Sequence, residues 1–230
     1  MDTQNSVLSF ASQTYEKFRK YEGADQIATR RALEILGSLI LEKRPKNIVE
    51  IGSGIGTITY FTFMITKTIY EIGEYIAYEK VLWCQEKFRE NIVEKVSKSR
   101  VKLISDFKNF DLTNSTQLII IDDKIDSSDY QVILSKASPN FDIFIEGHRF
   151  PQRLETIRLL KKNRFKFKYR GFTGSSNSYK GAAVFHVDKT KHNFIVYISI
   201  IGLWVKILML YMVVRSFRSK ISLRKIFGVA

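Results

Sequence analysis

Residues 48–56 read IVEIGSGIG, an apolar run ending in an acid and followed by three alternating glycines. A strand that feeds a glycine-rich turn and then a helix is a device for holding nucleotide-like ligands. Glycines let the backbone approach the ligand, and the helix N-terminus supplies unpaired N–H groups. A dinucleotide fingerprint would need a glycine at position 57, where Thr57 stands; the loop is instead Gly52, Gly54 and Gly56, preceded by Glu50. Four further apolar runs end in acids: YIAYE at Glu79, ISDF at Asp106, IIIDD at Asp122 and Asp123, and FIEGHR at Glu146, with His148 two residues on. An acid at a strand end often does no more than face solvent, so the weight lies in several of them in phase with the loop. Ligands of open α/β sheets bind at the C-terminal edge of the strands, so these side chains are predicted to converge on one crevice.

The elements that must position them are legible as periodicity. Residues 24–43, ADQIATRRALEILGSLILEK, carry apolar side chains at helical spacing and stop before Pro45, and a shorter helix is read near 6–20. Strands are predicted near 47–51, 75–79, 101–105, 117–122, 141–146, 165–170 and 181–187, with helices at 57–69, 82–97, 128–137 and 152–163. Several strands are almost continuous Ile, Leu and Val, as in sheets covered on both faces. The pattern predicts an α/β fold, a doubly wound seven-stranded mostly parallel sheet with an antiparallel last strand, plus a C-terminal hydrophobic helix. The stretch GFTGSSNSYK leaves no room for a helix, which makes the last two strands antiparallel neighbours.

The 230 residues carry 37 Lys and Arg against 23 Asp and Glu, a net charge of +14. From Lys189 onward there are eight basic residues and no acid, so the excess is concentrated in the tail. A single cysteine, Cys84, excludes an intramolecular disulfide framework, and its helix VLWCQEKF is read as lying away from the fourth-strand edge. The N-terminal MDTQNSVLSFASQTYEKFRK has no secretory pattern, so this part is expected to stay in a reducing cytosol. Residues 194–214, FIVYISIIGLWVKILMLYMVV, hold one charge in 21 residues, Lys206. As a helix they would span about 30 Å, the thickness of a bilayer core. Ser199, Gly202 and Lys206 share one face, a stripe suited to a helix partner or polar cavity. The final RSFRSKISLRKIF reads as an interfacial basic helix for anionic lipids. Whether 194–214 crosses the bilayer or lies in the interface stays open, because a single span would put those charges opposite the N-terminal domain.

The order of parts resembles the class I S-adenosylmethionine-dependent methyltransferases over roughly residues 24–188. EIGSGIG matches that family's E/D-x-G-x-G-x-G loop, and seven strands ending in an antiparallel pair match its topology. The resemblance implies that Gly52, Gly54 and Gly56 cradle the methionine part of the cofactor, with Glu50 positioning the loop or reaching the amino group. It implies that Glu79 accepts the ribose hydroxyls, that Asp106 contacts the adenine amino group, and that Phe107 packs on the ring. Asp122 or Asp123 falls beside the reactive methyl. For an O-methyltransferase, His148 is then the natural general base and Asp122 its partner or substrate anchor. Some relatives hold a divalent metal here, which Asp122 with Glu146 could do, but that subgroup's Asp-Asn pair at the fifth strand is absent and a metal is not favoured. FIEGHR is similar to an I-D-G-x-H motif of some members, although theirs sits at the fourth strand.

The divisions expected are an N-terminal helical segment at 1–23, a methyltransferase-like domain at 24–188, a transmembrane or membrane-embedded helix at 194–214 and a basic amphipathic tail at 215–230. The implied function is methyl transfer from S-adenosylmethionine to a hydroxyl of a small or membrane-associated acceptor, such as a glycan or lipid intermediate, by a membrane-associated protein with a cytoplasmic catalytic domain. Two rivals are a non-catalytic methyltransferase-like membrane interaction module and an RNA methyltransferase using the basic strip KKNRFKFKYR (161–170). Nucleic acid is the disfavoured partner. That strip reads more simply as a strand with Phe165, Phe167 and Tyr169 inward and lysines outward.

Overall fold

The structure is a computed structural model, and it describes residues 3–67, 69–92, 100–107, 115–147, 149–172 and 181–192. The predicted membrane helix at 194–214 with its Ser199, Gly202 and Lys206 stripe, the basic tail, residues 93–97 of the predicted fourth helix and His148 lie outside the described residues. Among the described residues no helix is long and apolar enough to cross a membrane.

The chain runs α1 (Thr3–Phe18), a 3₁₀ turn (Ala24–Gln26), α2 (Arg30–Lys43), β1 (Asn47–Ile51), α3 (Thr57–Thr66), β2 (Glu74–Tyr78) and α4 (Leu82–Ile92). It continues β3 (Val101–Ile104), β4 (Thr116–Ile121), α5 (Ser127–Lys136), β5 (Ala137–Glu146), α6 (Phe150–Lys162), β6 (Phe165–Phe172) and β7 (Ala182–His192). The seven strands form one sheet in the order β3-β2-β1-β4-β5-β7-β6. β1 pairs in parallel with β2 and β4, β2 with β3, and β4 with β5, while β7 runs antiparallel to β5. The fold class read from the sequence is therefore observed for residues up to His192.

β1 and β4 sit at the centre, where Ile48, Val49, Ile51 and Ile119–Ile121 are all buried. Such strands have no polar face because helices cover both sides. On one side, α1, α2 and α3 pack together with Val7, Ala11, Leu33, Leu36, Ile40, Phe61 and Ile65 in a single core. Gly37 is the contact point. A Cβ there would lie 2.8 Å from Phe61 and from Val7, so the absence of a side chain is what lets three helices meet. On the other side, Tyr130 of α5 is buried and shares a hydrogen bond with Thr156 of α6 at 2.8 Å.

Of the boundaries that differ from expectation, two have a visible cause. The single helix read over 24–43 is broken: Thr29 has extended backbone and its hydroxyl caps α2 by accepting from Ala32 N–H at 3.3 Å, leaving 24–26 as a separate turn. β5 begins at Ala137, four residues earlier than read, because Thr116 of β4 pairs with Ala137 across an irregular register that accommodates Pro139. The basic strip behaves as its simpler reading anticipates. In β6, Lys166 and Lys168 are exposed, whereas Phe167 and Tyr169 pack on Phe185 of β7 with ring centroids 6.0 and 4.9 Å apart.

Candidate active site

At the C-terminal edge of the central strands the glycine loop, the end of β2 and the end of β4 enclose a cavity of about 310 Å³. The loop is clamped to its neighbours: Gly52 and Ser53 N–H both donate to Tyr78 C=O at 2.9 and 3.1 Å, and Gly56 N–H closes back on Ser53 C=O at 2.9 Å. Gly52 has a left-handed φ of 79°, and a Cβ there would strike Asp123 Cβ at 2.3 Å, so this position admits only glycine. At Gly54 the added atom would meet nothing within 4 Å, and this is the stretch of backbone that faces the open cavity.

Glu79, one residue beyond β2, reaches into the same cavity. One carboxylate oxygen accepts from Gly54 N–H at 2.8 Å and the other from Val81 N–H at 2.9 Å, while Gln85 donates to its carbonyl at 3.0 Å. It is 5 % exposed. Its side chain thus has a fixed orientation, with one spare lone pair on each oxygen.

Glu50 lies behind the loop rather than on the cavity wall. It is fully buried, accepts from Thr59 Oγ1 at 2.5 Å and from Tyr75 OH, and its second oxygen has no partner among the described residues. Burial pushes its carboxyl up to about 8, against the pull of the two hydroxyl donors. Asp106 stands exposed after β3, and Phe107 is buried against Tyr78 with ring centroids 4.0 Å apart. Neither lines the cavity.

Asp122 and Asp123, after β4, both line it. Asp122 N–H continues the sheet by donating to Ile51 C=O at 2.8 Å, and its carboxylate accepts from Arg149 Nη2 at 2.8 Å. Burial, and then the charge of Glu146, hold the Asp122 carboxyl well above the usual range, with Arg149 opposing. Glu146, the last residue of β5, is 5 % exposed; it accepts from Thr29 N–H at 3.5 Å and lies 4.0 Å from Arg149 Nε. The guanidinium of Arg149 therefore stands where a divalent ion bridging Asp122 and Glu146 would have to sit. Among the described residues no three His, Cys, Asp or Glu side chains are grouped to hold a metal. The residues here do not fit a metal centre, because the cation they are built around is an arginine.

Several residues on the wall or beside it escaped the sequence reading. Arg149 was visible only as an acid-to-base spacing of three in FIEGHR. Gly23, Asp25, Ile27 and Ala28, from the segment before α2, close one side, and Trp83 of α4 packs against Gly23. The α4 face also corrects the placement of Cys84. It lines the cavity together with Glu79 and Asp123 instead of lying away from the β4 edge. Burial, then those two carboxylates, raise its thiol, which disfavours the thiolate form.

No family model matches this sequence. No curated protein matches it either. Solved structures do. The SAH-bound methyltransferase PaMTH1 of Podospora anserina superposes with a TM-score of 0.58 at 17% identity, over 78% of this chain and 88% of that one. The O-methyltransferase TomG of Streptomyces achromogenes, in complex with SAM, gives 0.57 at 14% identity, over 79% and 89%. A putative caffeoyl-CoA O-methyltransferase of Staphylococcus aureus gives 0.59 at 14% identity, over 80% and 98%. The described residues of this chain thus have the fold of these S-adenosylmethionine-dependent methyltransferases.

Proposed function

We propose that the chain is an S-adenosylmethionine-dependent methyltransferase, with the cofactor in the 310 Å³ cavity and a hydroxyl as the methyl acceptor. The observation that carries this reading is Glu79, a buried carboxylate fixed by the glycine loop's own N–H and aimed into the cavity that Gly52, Gly54, Asp122 and Asp123 line. Other buried polar atoms fit the same ligand. Ser53 Oγ and Thr57 Oγ1, both on the cavity wall, have no partner among the described residues, an arrangement that costs free energy until something pairs with them.

When bound, the cofactor supplies an electrophilic methyl group on a sulfonium. In this reading Gly52, Gly54 and Gly56 hold its methionine part with Glu50 behind the loop, and Glu79 accepts the ribose hydroxyls through its spare lone pairs. The acceptor oxygen must be held in line with the carbon–sulfur bond, and its proton goes to His148, with Asp122 anchoring the base or the acceptor. The cavity wall is acidic, with Asp25, Glu79, Asp122 and Asp123, and the nearby Arg149 is already paired with Asp122, which favours an uncharged acceptor over polyanionic RNA. The apolar segment 194–214 and the basic tail support a membrane-associated protein whose catalytic domain is cytoplasmic and whose acceptor is a small molecule, glycan or lipid intermediate.

Calorimetric titration of S-adenosylmethionine into the full chain and into Glu79→Ala tests the cofactor site. Micromolar binding that weakens by about ten- to a hundredfold in the variant is expected from the loss of charged hydrogen bonds. A folded wild-type protein that takes up no cofactor would sink the proposal.

A further inference from the structure

Two nearly buried carboxylates meet at the ends of β4 and β5. The side chains of Asp122 and Glu146 are 11 % and 6 % exposed, and the charge of Glu146 opposes ionisation of Asp122. Glu50, behind the glycine loop, adds to the same repulsion. Carboxylates this deep need a cation beside them or must take up a proton. Arg149 is the cation that reaches both. Its Nη2 donates to Asp122 Oδ1 at 2.8 Å, and its Nε, buried and without a hydrogen bond among the described residues, lies 4.0 Å from Glu146 Oε2.

The backbone that carries Arg149 to this place is itself held. β5 ends at Glu146, and Arg153, one turn into α6, donates from Nη2 to Gly147 C=O and from its N–H to Arg149 C=O at 3.1 Å. Thr29 N–H, at the cap of α2, donates to the other carboxylate oxygen of Glu146 at 3.5 Å. Three elements, α2, β5 and α6, therefore fix the cation and one of its acids. A guanidinium stays charged across the whole working pH range, and its covalent tether means that it cannot leave as a metal ion can. Its donors lie in a fixed plane and offer no open coordination position.

We propose that Arg149 is a tethered counter-cation for Asp122 and Glu146, a positioning residue that holds Asp122 on the cavity wall and makes the site independent of divalent ions. The inference deepens the methyltransferase reading, on which it rests for the reaction served. It also has a consequence independent of that reading. Removing the guanidinium leaves two facing carboxylates with nothing to neutralise them, which is a ligand pair for a hard divalent ion.

Manganous ion is the probe, since oxygen ligands suit it and its paramagnetic spectrum reports binding directly. Full-length wild type, Arg149→Ala, Arg149→Gln and Arg149→Lys are titrated with manganous chloride at neutral pH under electron paramagnetic resonance. Wild type and Arg149→Lys, which keep the charge, should take up no ion at millimolar concentration. Each neutral variant should take up one ion, at least about tenfold more tightly than wild type, because an uncompensated buried carboxylate pair is costly. Adding Asp122→Asn to either should abolish the uptake. Arg149→Gln guards against loss of fold in Arg149→Ala. Neutral variants that fold and take up no ion overturn the proposal, as does a wild type that binds manganese as they do. Calorimetric titration of S-adenosylmethionine into the same wild-type sample, with and without a chelator, separates the two readings. No cofactor uptake sinks the methyltransferase reading while the ion titration still decides the role of Arg149, and uptake lost on chelation overturns the proposal itself.

Discussion

Glu50 shows how one side chain can carry a site's cost in stability. It is buried with one oxygen unpaired, and its carboxyl is raised from about 4.5 to about 8 by that burial. A folded state that binds the proton more tightly than the unfolded chain gains stability below the unfolded value and loses it as pH climbs to the folded one. Between about pH 4.5 and 8 this group should subtract up to about 1.4 kcal/mol per pH unit. Asp122, raised in the same direction, adds to the slope. Thermal melts from pH 5 to pH 8 should show stability falling, and Glu50→Gln should flatten the fall while leaving stability at pH 5 nearly unchanged. A slope identical in both proteins would mean that Glu50 is ionised in the folded state. The residues that sequence reading could not supply here are Arg149 and Cys84. Arg149 is defined by a partner 27 positions away, and Cys84 by which face of α4 meets the cavity.

The elements hold the site by close approach more than by polar contacts. β1, α3 and β2 deliver the glycine loop and Glu79 to one place only if α1, α2 and α3 cover the sheet tightly behind them, and Gly37 is where that cover is thinnest. Gly37→Ala should gain about 0.5–1 kcal/mol of helix propensity but force atoms 2.8 Å apart in a filled core, an overpacking cost of about 1–3 kcal/mol. The expected net change is a loss of about 1 kcal/mol in chemical denaturation, the difference of those two effects. A variant more stable than wild type would show that Phe61 and Val7 move aside freely. α1 belongs to the same cover, since Val7, Ala11 and Phe18 are buried. Strand and helix identities were legible because their apolar periods are long. The break at Thr29 and the early start of β5 were not, because a side-chain cap and an irregular strand pairing set them.

For the whole molecule the relevant property is where the chain divides. The residues up to Lys191 form one compact unit. A chain ending at His192 keeps every strand, so it should melt cooperatively and bind S-adenosylmethionine as the full chain does. Fractionation should move it from the membrane pellet to the supernatant. Cofactor binding lost on truncation would tie the tail to the crevice, and a truncated chain that still pellets would remove the tail from anchoring.

The order and type of the elements, the glycine loop and the acids that follow β2 and β4 were decided by the sequence alone. They are local properties: apolar period, strand ends and the steric freedom of glycine. Which of those acids meet was decided only by the tertiary structure. Glu79, Asp122 and Asp123 share a cavity, Glu50 lies behind the loop, Asp106 stays outside, and Arg149 fills the place between Asp122 and Glu146. The physical reason is that burial and charge pairing depend on side-chain direction and on partners distant in the chain, which strand periodicity does not encode.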